Sequence, residues 1–476
     1  MIEVTEIPPI EGLRQVPSSK SSLRILCPNG HLGFAPIKTG SFELGLDRAP
    51  DLICADSGSC DVGPGPLGAD VPSSPLQWQR HDLEHMLLAA RRLDVPMIVG
   101  SAADTGSNSG VDRFVGVVKD LAREHRLPRF RLGYFYSEVG QEYLHRKIAA
   151  GDAIEGLDGR PPLTPETLGA TERVVAMAGV HPYVELLDRG ADVIIGGRSS
   201  DCAIFAAPAI RRGLPEGLAY FAGKVLECAS FCAEPYGAKE SVLGEITVED
   251  FKVTALCPEQ RCTIASVAAH TMYERPNPFY EHFLGGHIDM SECRYEQYDD
   301  RTVRVTGPRY VPAEELRVKL EGSGKIGERY VGIVGVRDPY TIENIDLVTG
   351  WARQQVAERF GAAESPGGYE LHFAVYGRDA ILGASEPRRA APGHELAVVV
   401  QGVAPTEAMA EEVAMIATRQ MFYARLPQVK GTAGGVAFLL DEVMRASPAY
   451  RWTLNHTMRV DDPLELFPTF LTEVAA

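Results

Sequence analysis

Short apolar runs alternate with segments of helical periodicity in the first half of the chain. The apolar runs are short enough to be buried strands, and they lie at residues 23–27, 52–55, 97–99, 131–136 and 193–195. Between and after them, apolar positions recur roughly every three to four residues, as a helix with one buried face requires. These helical segments are residues 82–93, 112–125, 140–150 and 181–189. Strands that alternate with helices predict an α/β fold, namely a mostly parallel sheet with flanking helices.

The pattern changes near residue 290. Residues 295–310 and 316–320 read as antiparallel strands. A strand at 329–336, a helix at 345–360, strands at 369–376 and 395–401 and a helix at 406–425 then follow. This β-α-β-β-α order predicts a smaller α+β domain of the ferredoxin-like kind.

These patterns divide the sequence into three parts. Residues 1–21 are polar and rich in proline, and we expect a loose N-terminal arm. Residues 22–290 form the α/β domain that carries the site, and residues 291–476 form the α+β domain. Within the first domain, residues 151–175 are rich in Gly, Pro and Thr, which predicts a long excursion that can serve as a lid.

Composition narrows the class of protein. A formal net charge of -17 argues against binding to nucleic acid, which requires an excess of Lys and Arg on one face. Nine cysteines without framework spacing are typical of reduced thiols in the cytosol. No apolar run reaches the ~18 residues of a membrane span. We therefore expect a cytoplasmic homo-oligomer that binds neither nucleic acid nor membranes.

Polar residues follow the ends of successive predicted strands. They are Asn29-Gly-His31, Asp56-Ser-Gly-Ser-Cys-Asp61, Gly100-Ser-Ala-Ala-Asp104, Ser137-Glu138 and Gly196-Gly-Arg-Ser-Ser-Asp201. In an open parallel sheet, ligands bind beyond the carboxyl ends of the strands. Helix caps and turns explain any single one of these junctions. Their repetition favours a composite site.

The residue types at these junctions suit acid–base chemistry and anion binding. Two carboxylates in one dry cleft have their pKa values pushed apart, which gives one acid and one base. Arg198 precedes a predicted helix at 200–212, so its guanidinium and the helix N-terminus together suit a carboxylate or phosphate.

Other motifs leave alternatives open or exclude them. Cys60 and Cys202 follow two different strand ends, as the facing thiols of a cofactor-free racemase would. His81 and His85 match a zinc-peptidase spacing, but helical periodicity places both on the solvent side, and we predict no metal. The chain lacks G-x-x-x-x-G-K-[ST], a strand-linked G-x-G-x-x-G and G-x-S-x-G. We therefore predict no organic cofactor, and the α/β-hydrolase fold is disfavoured.

Several segments together resemble the acyclic terpene utilisation (AtuA-like) family. They are residues 56–65, 98–101, 190–198, 226–228, 269–274, 301–305, 318–322 and 335–339. The resemblance implies a cytoplasmic catabolic protein, because the family is named from operons that degrade branched terpenoid acids through acyl-CoA intermediates. The chain departs from the terpene-associated pattern after Cys228, so the resemblance does not fix a terpenoid substrate.

The strand ends and the resemblance together give the candidate residues. The predicted catalytic residues are Asp56, Asp61, Glu138, His270 and Asp201. The predicted substrate-binding residues are Ser57, Ser59, Ser101, Asp104, Arg198, Ser199, Ser200, Glu227, Lys319 and Arg337. Of these, Glu227, His270, Lys319 and Arg337 come from the resemblance, which also points to Glu274 and Asp338.

The leading hypothesis is a lyase, hydratase or isomerase that acts on a carboxylate or acyl-CoA. In this hypothesis Arg198 and the amides of residues 199–201 hold the anion, because the charge of an enolate develops only along the reaction. Asp56 or Asp61 is the base, and His270 or Glu138 is the acid. One alternative is an amide or lactone hydrolase with Ser59 or Ser101 as nucleophile. The other is a non-catalytic subunit that binds a metabolite or a partner protein.

Overall fold

The computed structural model describes residues 22–237, 239–363, 367–430 and 435–475. The predicted arm at residues 1–21 lies outside the described residues. The strands are β1 Ser22–Cys27, β2 Leu52–Gly58, β3 Met97–Asp104, β4 Phe130–Phe135, β5 Ile154–Gly156, β6 Arg173–Ala176, β7 Val193–Ile195, β8 Val242–Thr247, β9 Phe251–Ala255, β10 Tyr280–Phe283, β11 Gly286–Asp289, β12 Arg294–Asp299, β13 Thr302–Thr306, β14 Arg309–Pro312, β15 Arg317–Val336, β16 Glu370–Tyr376, β17 Leu396–Ala404, β18 Val436–Phe438, β19 Met444–Arg459 and β20 Thr469–Val474.

The α-helices are distributed between and after these strands. They are α1 Thr39–Leu46, α2 Pro64–Ala69, α3 Leu76–Leu93, α4 Asn108–Glu124, α5 Gln141–Ala149, α6 Pro165–Gly169, α7 His181–Asp188, α8 Ala203–Arg211, α9 Glu216–Leu226, α10 Ile264–Thr271, α11 Pro339–Glu343, α12 Ile345–Phe360 and α13 Glu407–Tyr423. None of the helices in the described ranges combines the length and the apolar character needed to cross a membrane.

The chain forms two compact units. Unit 1 contains the described residues of Met1–Ser323 and Trp452–Ala476, and unit 2 is Gly324–Arg451. We predicted a domain boundary near residue 290, whereas the chain stays in unit 1 until Ser323 and returns to it at Trp452. Unit 1 is therefore discontinuous in sequence.

Unit 1 is built on a ten-stranded sheet with the order β12-β13-β9-β8-β1-β2-β3-β7-β4-β20. The strands from β1 to β4 in this order are parallel to one another. The strands on both flanks are antiparallel. The predicted mostly parallel sheet is thus wrong for the whole sheet, which is mixed. Short hairpins extend the edge beyond β1, and no crossover helix is needed there.

The parallel strands are buried on both faces, which explains their unbroken apolar runs. Ile53 and Ala55 of β2 pack with Phe114 of α4 on one face. Their neighbours Leu52 and Cys54 point to the other face and pack in the core that contains α8 and α9. Successive residues of a strand point to opposite faces, so one short run supplies both cores.

The segment at residues 151–175 is not a loose excursion. Its β5 pairs with β19 through residues 154–156, and Leu163 and Leu168 are buried in the main core of unit 1. At its end β6 pairs with β15 through Val174 and its neighbours. The predicted lid is therefore wrong, because its apolar side chains and strand pairings anchor it to the unit.

Unit 2 has the predicted order of strands and helices. In it, β17 pairs antiparallel with β15 and with β16. Val348 of α12 and Val413 of α13 share one core with Val398 and Val400 of β17. The structure therefore confirms a mixed α/β chain, and the ferredoxin-like assignment of this unit stays a prediction.

Candidate functional site

A cavity of about 460 Å³ lies in unit 1 beyond the carboxyl ends of the parallel strands. Its lining is rich in ionisable side chains and consists of Gly30, His31, Asp56, Ser59, Cys60, Asp61, Met177, Arg198, Ser200, Asp201, Cys202, Lys224, Glu227, Cys228, Lys239, Tyr273, Glu274, Arg275, Glu281, His282 and Lys319. Eight predicted site residues are in this lining: Asp56, Ser59, Asp61, Arg198, Ser200, Asp201, Glu227 and Lys319. Six of them were predicted from their positions after strands, and Glu227 and Lys319 were predicted from the family resemblance.

His31 lines the cavity and is oriented by Asp104. Its Nε2 lies 2.8 Å from Oδ1 of Asp104, which is fully buried at the end of β3. Asp104 also accepts hydrogen bonds from the amide and hydroxyl of Ser74 and from Gln79. Burial opposes its ionisation, but the bonds from His31 and Ser74 hold the pKa of Asp104 below its usual value. A carboxylate only accepts hydrogen bonds, so Nε2 carries the proton and Nδ1 is left unprotonated in the neutral ring.

Asp56 lies on the neighbouring strand end, and its burial favours the protonated form of the carboxyl group. Its side chain is buried; Oδ2 accepts a bond of 3.3 Å from the amide of Gly58, and Oδ1 has no partner among the described residues. Burial, followed by the nearby charge of Asp201, raises its pKa well above the usual value. The amide of Leu32 donates to the backbone oxygen of Asp56 over 3.0 Å, which joins the loop that carries His31 to the end of β2.

Arg198 is bound mainly by the protein itself. Its Nε donates to Glu321 Oε2 over 2.9 Å, and its Nη2 lies 3.4 Å from the other oxygen of the same carboxylate. Its Nη1 donates to the backbone oxygen of Ser199 and to Asp201. Although burial opposes ionisation, Arg198 and Lys319 lower the pKa of Glu321 to about 2. Glu321 therefore already binds the guanidinium edge of Arg198 that we predicted would bind a substrate anion.

Gly106 allows the loop after β3 to pass close to Arg198. Its φ is +65°, and a Cβ there would lie 2.2 Å from the amide nitrogen of Arg198. The oxygen of Gly106 accepts hydrogen bonds from that amide and from Ser137. Only glycine fits this backbone conformation without strain.

We expect Gly106→Ala to lower the free energy of unfolding by at least about 2 kcal/mol, because it adds a backbone clash to an unfavourable φ. The matched control is Gly116→Ala in α4, where the added Cβ meets no atom within 4 Å. That change should raise stability by about 0.5–1 kcal/mol, since glycine is a poor helix former. Urea denaturation measures both. Equal effects would contradict the close approach at Gly106.

Glu227 forms a second ionisable cluster at the cavity. Lys224 Nζ donates to its Oε1 over 2.6 Å, and the thiol of Cys202 donates to its Oε2 over 3.2 Å. Burial raises the pKa of Glu227 to about 7 against the opposing effect of Lys224, and the charges of Asp201 and Glu281 add to the rise. Glu227 therefore changes protonation near neutral pH.

Seven predicted residues lie outside this lining, and three of them, Glu138, His270 and Arg337, have other surroundings. Glu138 accepts a bond from the amide of Asn108 at the start of α4 and pairs with Arg173 over 2.9 Å. His270 is buried beside Tyr273, their rings 5.0 Å apart. Arg337 belongs to unit 2 and lines a different cavity there. The structure therefore does not bring Glu138, His270 and Arg337 into the cavity of unit 1.

The buried serines act as supports around the strand ends. Ser101 Oγ lies 3.2 Å from Arg198 Nη1, and Ser199 Oγ lies 2.8 Å from the hydroxyl of Tyr183. Ser57 is fully buried behind Asp56. Ser59 Oγ accepts a bond from the amide of Asp61. Within the described part of the chain neither Ser59 nor Ser101 has a histidine partner, so the geometry gives the predicted hydrolase no activated nucleophile.

The described residues of the site contain neither a reactive thiolate pair nor a metal-binding cluster. Burial raises the pKa of Cys60 and, more strongly, of Cys202, with Glu321 and Glu227 respectively adding to the rise. Both thiols therefore remain protonated, and a thiol-pair racemase has no support here. Among the described residues, no group of three or more His, Cys, Asp and Glu side chains is arranged to hold a metal ion.

Sequence reasoning missed several polar residues at the site, among them His31, Glu321, Lys224 and Arg275. His31 was visible as part of a strand-end junction, and Glu321 lies in a segment that carries the family resemblance. Lys224 and Arg275 had no such signal, because one lies inside an apolar helix and the other in a loop after α10. The structure places both in the cavity lining, where each is buried beside a carboxylate.

Comparison with known proteins gives one match. No curated protein and no solved structure matches the chain. The profile of the family described as "Acyclic terpene utilisation family protein AtuA" matches residues 77–460, most of the chain and most of the cavity-bearing unit. The chain therefore belongs to the acyclic terpene utilisation AtuA family, as the resemblance predicted.

Proposed function

We propose that the cavity of unit 1 is the active site of a catabolic enzyme that moves protons on a small organic acid or its thioester. The reaction class is that of a lyase, hydratase or isomerase. The family name supports a role in the utilisation of acyclic terpenes, whose breakdown passes through branched acids. One observation carries the proposal: a buried carboxyl group with a raised pKa, Asp56, and an oriented imidazole, His31, meet at one cavity.

The two groups suit opposite halves of a proton transfer. The free Nδ1 of His31 takes a proton from the carbon beside the substrate carbonyl, and Asp104 stabilises the imidazolium that results. Asp56 donates its proton to the departing hydroxyl group or to the carbonyl oxygen. We predicted Asp56 as a base, but its burial favours the protonated form and therefore the role of the acid.

The lining also limits the substrate. Met177 and Tyr273 provide the larger apolar surfaces of the cavity, whose other lining residues are mostly charged, polar or small. A long branched hydrocarbon chain would desolvate many of these charges at a high free-energy cost. The cavity therefore suits a small polar molecule, or the polar end of a larger one.

The proposal is tested by proton exchange in D₂O. The purified protein is incubated with short branched hydroxy acids, enoic acids and their CoA thioesters, and NMR measures deuterium at the carbon beside the carbonyl. We expect exchange with at least one compound, and a rate about 10²-fold lower in Asp56→Asn. The rate should also fall as the pH rises through the raised pKa of Asp56, because only the protonated form donates.

The control is Asp120→Asn, which changes an exposed carboxylate on α4 and should exchange at the wild-type rate. An unchanged rate in Asp56→Asn would remove Asp56 from the mechanism. No exchange with any compound would instead favour a non-catalytic subunit.

A further inference from the structure

Two buried cations, Lys224 and Arg275, line the cavity. Lys224 lies on α9 and Arg275 in the loop after α10, and their side chains are 5% and 10% exposed. Burying a charge is costly unless it is paired and hydrogen-bonded, so each cation should have a full set of partners. Lys224 has one close partner in Glu227. Arg275 does not have such a set.

Arg275 and Lys224 share a carboxylate, Glu281 of β10, that fits them poorly. Its Oε2 lies 2.7 Å from Arg275 Nη1 and 3.9 Å from Lys224 Nζ. That oxygen makes no aligned hydrogen bond, and Nε and Nη2 of Arg275 have no partner among the described residues. Nε and Nη2 form the edge of a guanidinium that binds a carboxylate in bidentate fashion. Glu281 therefore leaves the best binding edge of Arg275 unused.

Another basic side chain lies near these cations. Lys239 lines the same cavity. Burial lowers the pKa of the nearby His270 to about 3, and the charges of Lys224, Lys239 and Arg275 lower it further. The neutral imidazole of His270 adds no charge of its own. Three cations are thus close together here, and Glu227 and Glu281 are the carboxylates paired with Lys224 and Arg275.

We infer that Lys224 and Arg275 form the subsite for a carboxylate group of the substrate, and that Glu281 holds the place of that group. The inference rests on the proposed function and names its substrate class: a free organic acid, whose carboxylate binds here while its reacting carbon faces His31 and Asp56. A thioester carbonyl has no charge to offer these two cations. Arg198 is not needed as the anchor, because Glu321 already binds it.

The position of Glu281 allows its side chain to move away from Lys224 and Arg275. Its strand β10 is an edge strand of a three-stranded sheet with the order β10-β11-β14, so its displacement breaks pairing on one side only. The Glu281 side chain is 24% exposed and can turn towards solvent. Lys224 keeps Glu227 as its partner throughout, so the exchange of one carboxylate for another leaves no cation unpaired.

Isothermal titration calorimetry of the full-length protein tests this, with 3-methylbutyrate as the probe and 3-methylbutyramide as its neutral counterpart. Glu281→Gln removes the internal competitor, and we expect it to bind the acid about tenfold more tightly than wild type while binding of the amide is unchanged. Arg275→Lys in the Glu281→Gln background keeps the charge but loses the bidentate edge. We expect this to reverse the gain about tenfold.

The control is Glu292→Gln, which makes the same charge change at an exposed position close to the hairpin. Thermal unfolding shows that each variant is folded. The inference is overturned if Glu281→Gln binds the acid no more tightly than wild type. It is also overturned if a folded Arg275→Lys/Glu281→Gln protein binds as tightly as Glu281→Gln alone.

The test separates this inference from the proposed function. Calorimetry measures binding of the carboxylate and NMR measures proton exchange, so the two results are independent of each other. Acid binding without proton exchange would therefore leave the subsite standing and remove the proposed reaction. Exchange without carboxylate-dependent binding would do the opposite.

Discussion

Replacing His31 with glutamine is expected to lower the rate of proton exchange about 10³-fold while the free energy of unfolding changes by less than about 1 kcal/mol. The large effect on rate follows from the position of His31 in the cavity and from the hydrogen bond that fixes its ring. The small effect on stability follows because the glutamine amide can still donate to Asp104. NMR-detected exchange in D₂O and urea denaturation measure the two quantities.

Asp104→Asn separates positioning from proton transfer. The asparagine side chain can present an N–H to His31, which favours the wrong tautomer of the ring without emptying the space. We expect a lower rate together with a changed pH dependence, because the imidazolium loses its carboxylate partner. The matched control for His31→Gln is His372→Gln, which changes an exposed histidine of unit 2. A His31→Gln protein that exchanges at the wild-type rate would exclude His31 as the base.

The largest effect on stability is expected from Glu321→Gln, which should lower the free energy of unfolding by about 3–5 kcal/mol at neutral pH. The change leaves the guanidinium of Arg198 buried with its main counter-charge removed. By contrast Glu124→Gln, which removes an exposed ion pair with Arg80, should cost about 0–1 kcal/mol. Urea denaturation measures both changes.

The same pair gives a defined pH dependence. The pKa of Glu321 is about 2 in the folded protein against an ordinary value of 4.5. A lowered carboxyl pKa contributes stability above the unfolded value, and that contribution is lost as the pH falls towards the folded value. The difference in stability between wild type and Glu321→Gln should therefore narrow from pH 4.5 down to about 2. A difference that stays constant across this range would contradict the ion pair.

Sequence periodicity predicted the regular elements well where local pattern decides them. The predicted helix at 345–360 and strand at 193–195 have the same bounds in the structure. The flanks of the large sheet depend on distant pairing instead. Strand β20 pairs with β4 through residues more than 300 positions apart in the chain, and no local pattern encodes that partner. The resulting sheet is mixed for this reason.

The site was predictable only where strand ends define it. Parallel strands end at one edge, so Asp56, Asp61 and Arg198 meet at the cavity, as their positions after strands suggested. The charge state of Asp56 was not predictable, since it depends on burial. Nor was the pairing of Arg198 with Glu321, because these two residues are 123 positions apart. Glu138 follows a strand end as well, but the start of α4 and Arg173 engage its carboxylate.

The discontinuity of unit 1 has a consequence for how the chain can change. Gly322 and Leu454 lie side by side in unit 1, since a Cβ on Gly322 would stand 2.8 Å from the Cβ of Leu454. Unit 2 therefore enters the chain as an insertion between neighbouring backbone segments, and the described residues that line the cavity all belong to unit 1. A change of length or sequence within Gly324–Arg451 therefore replaces none of the described residues that line the cavity.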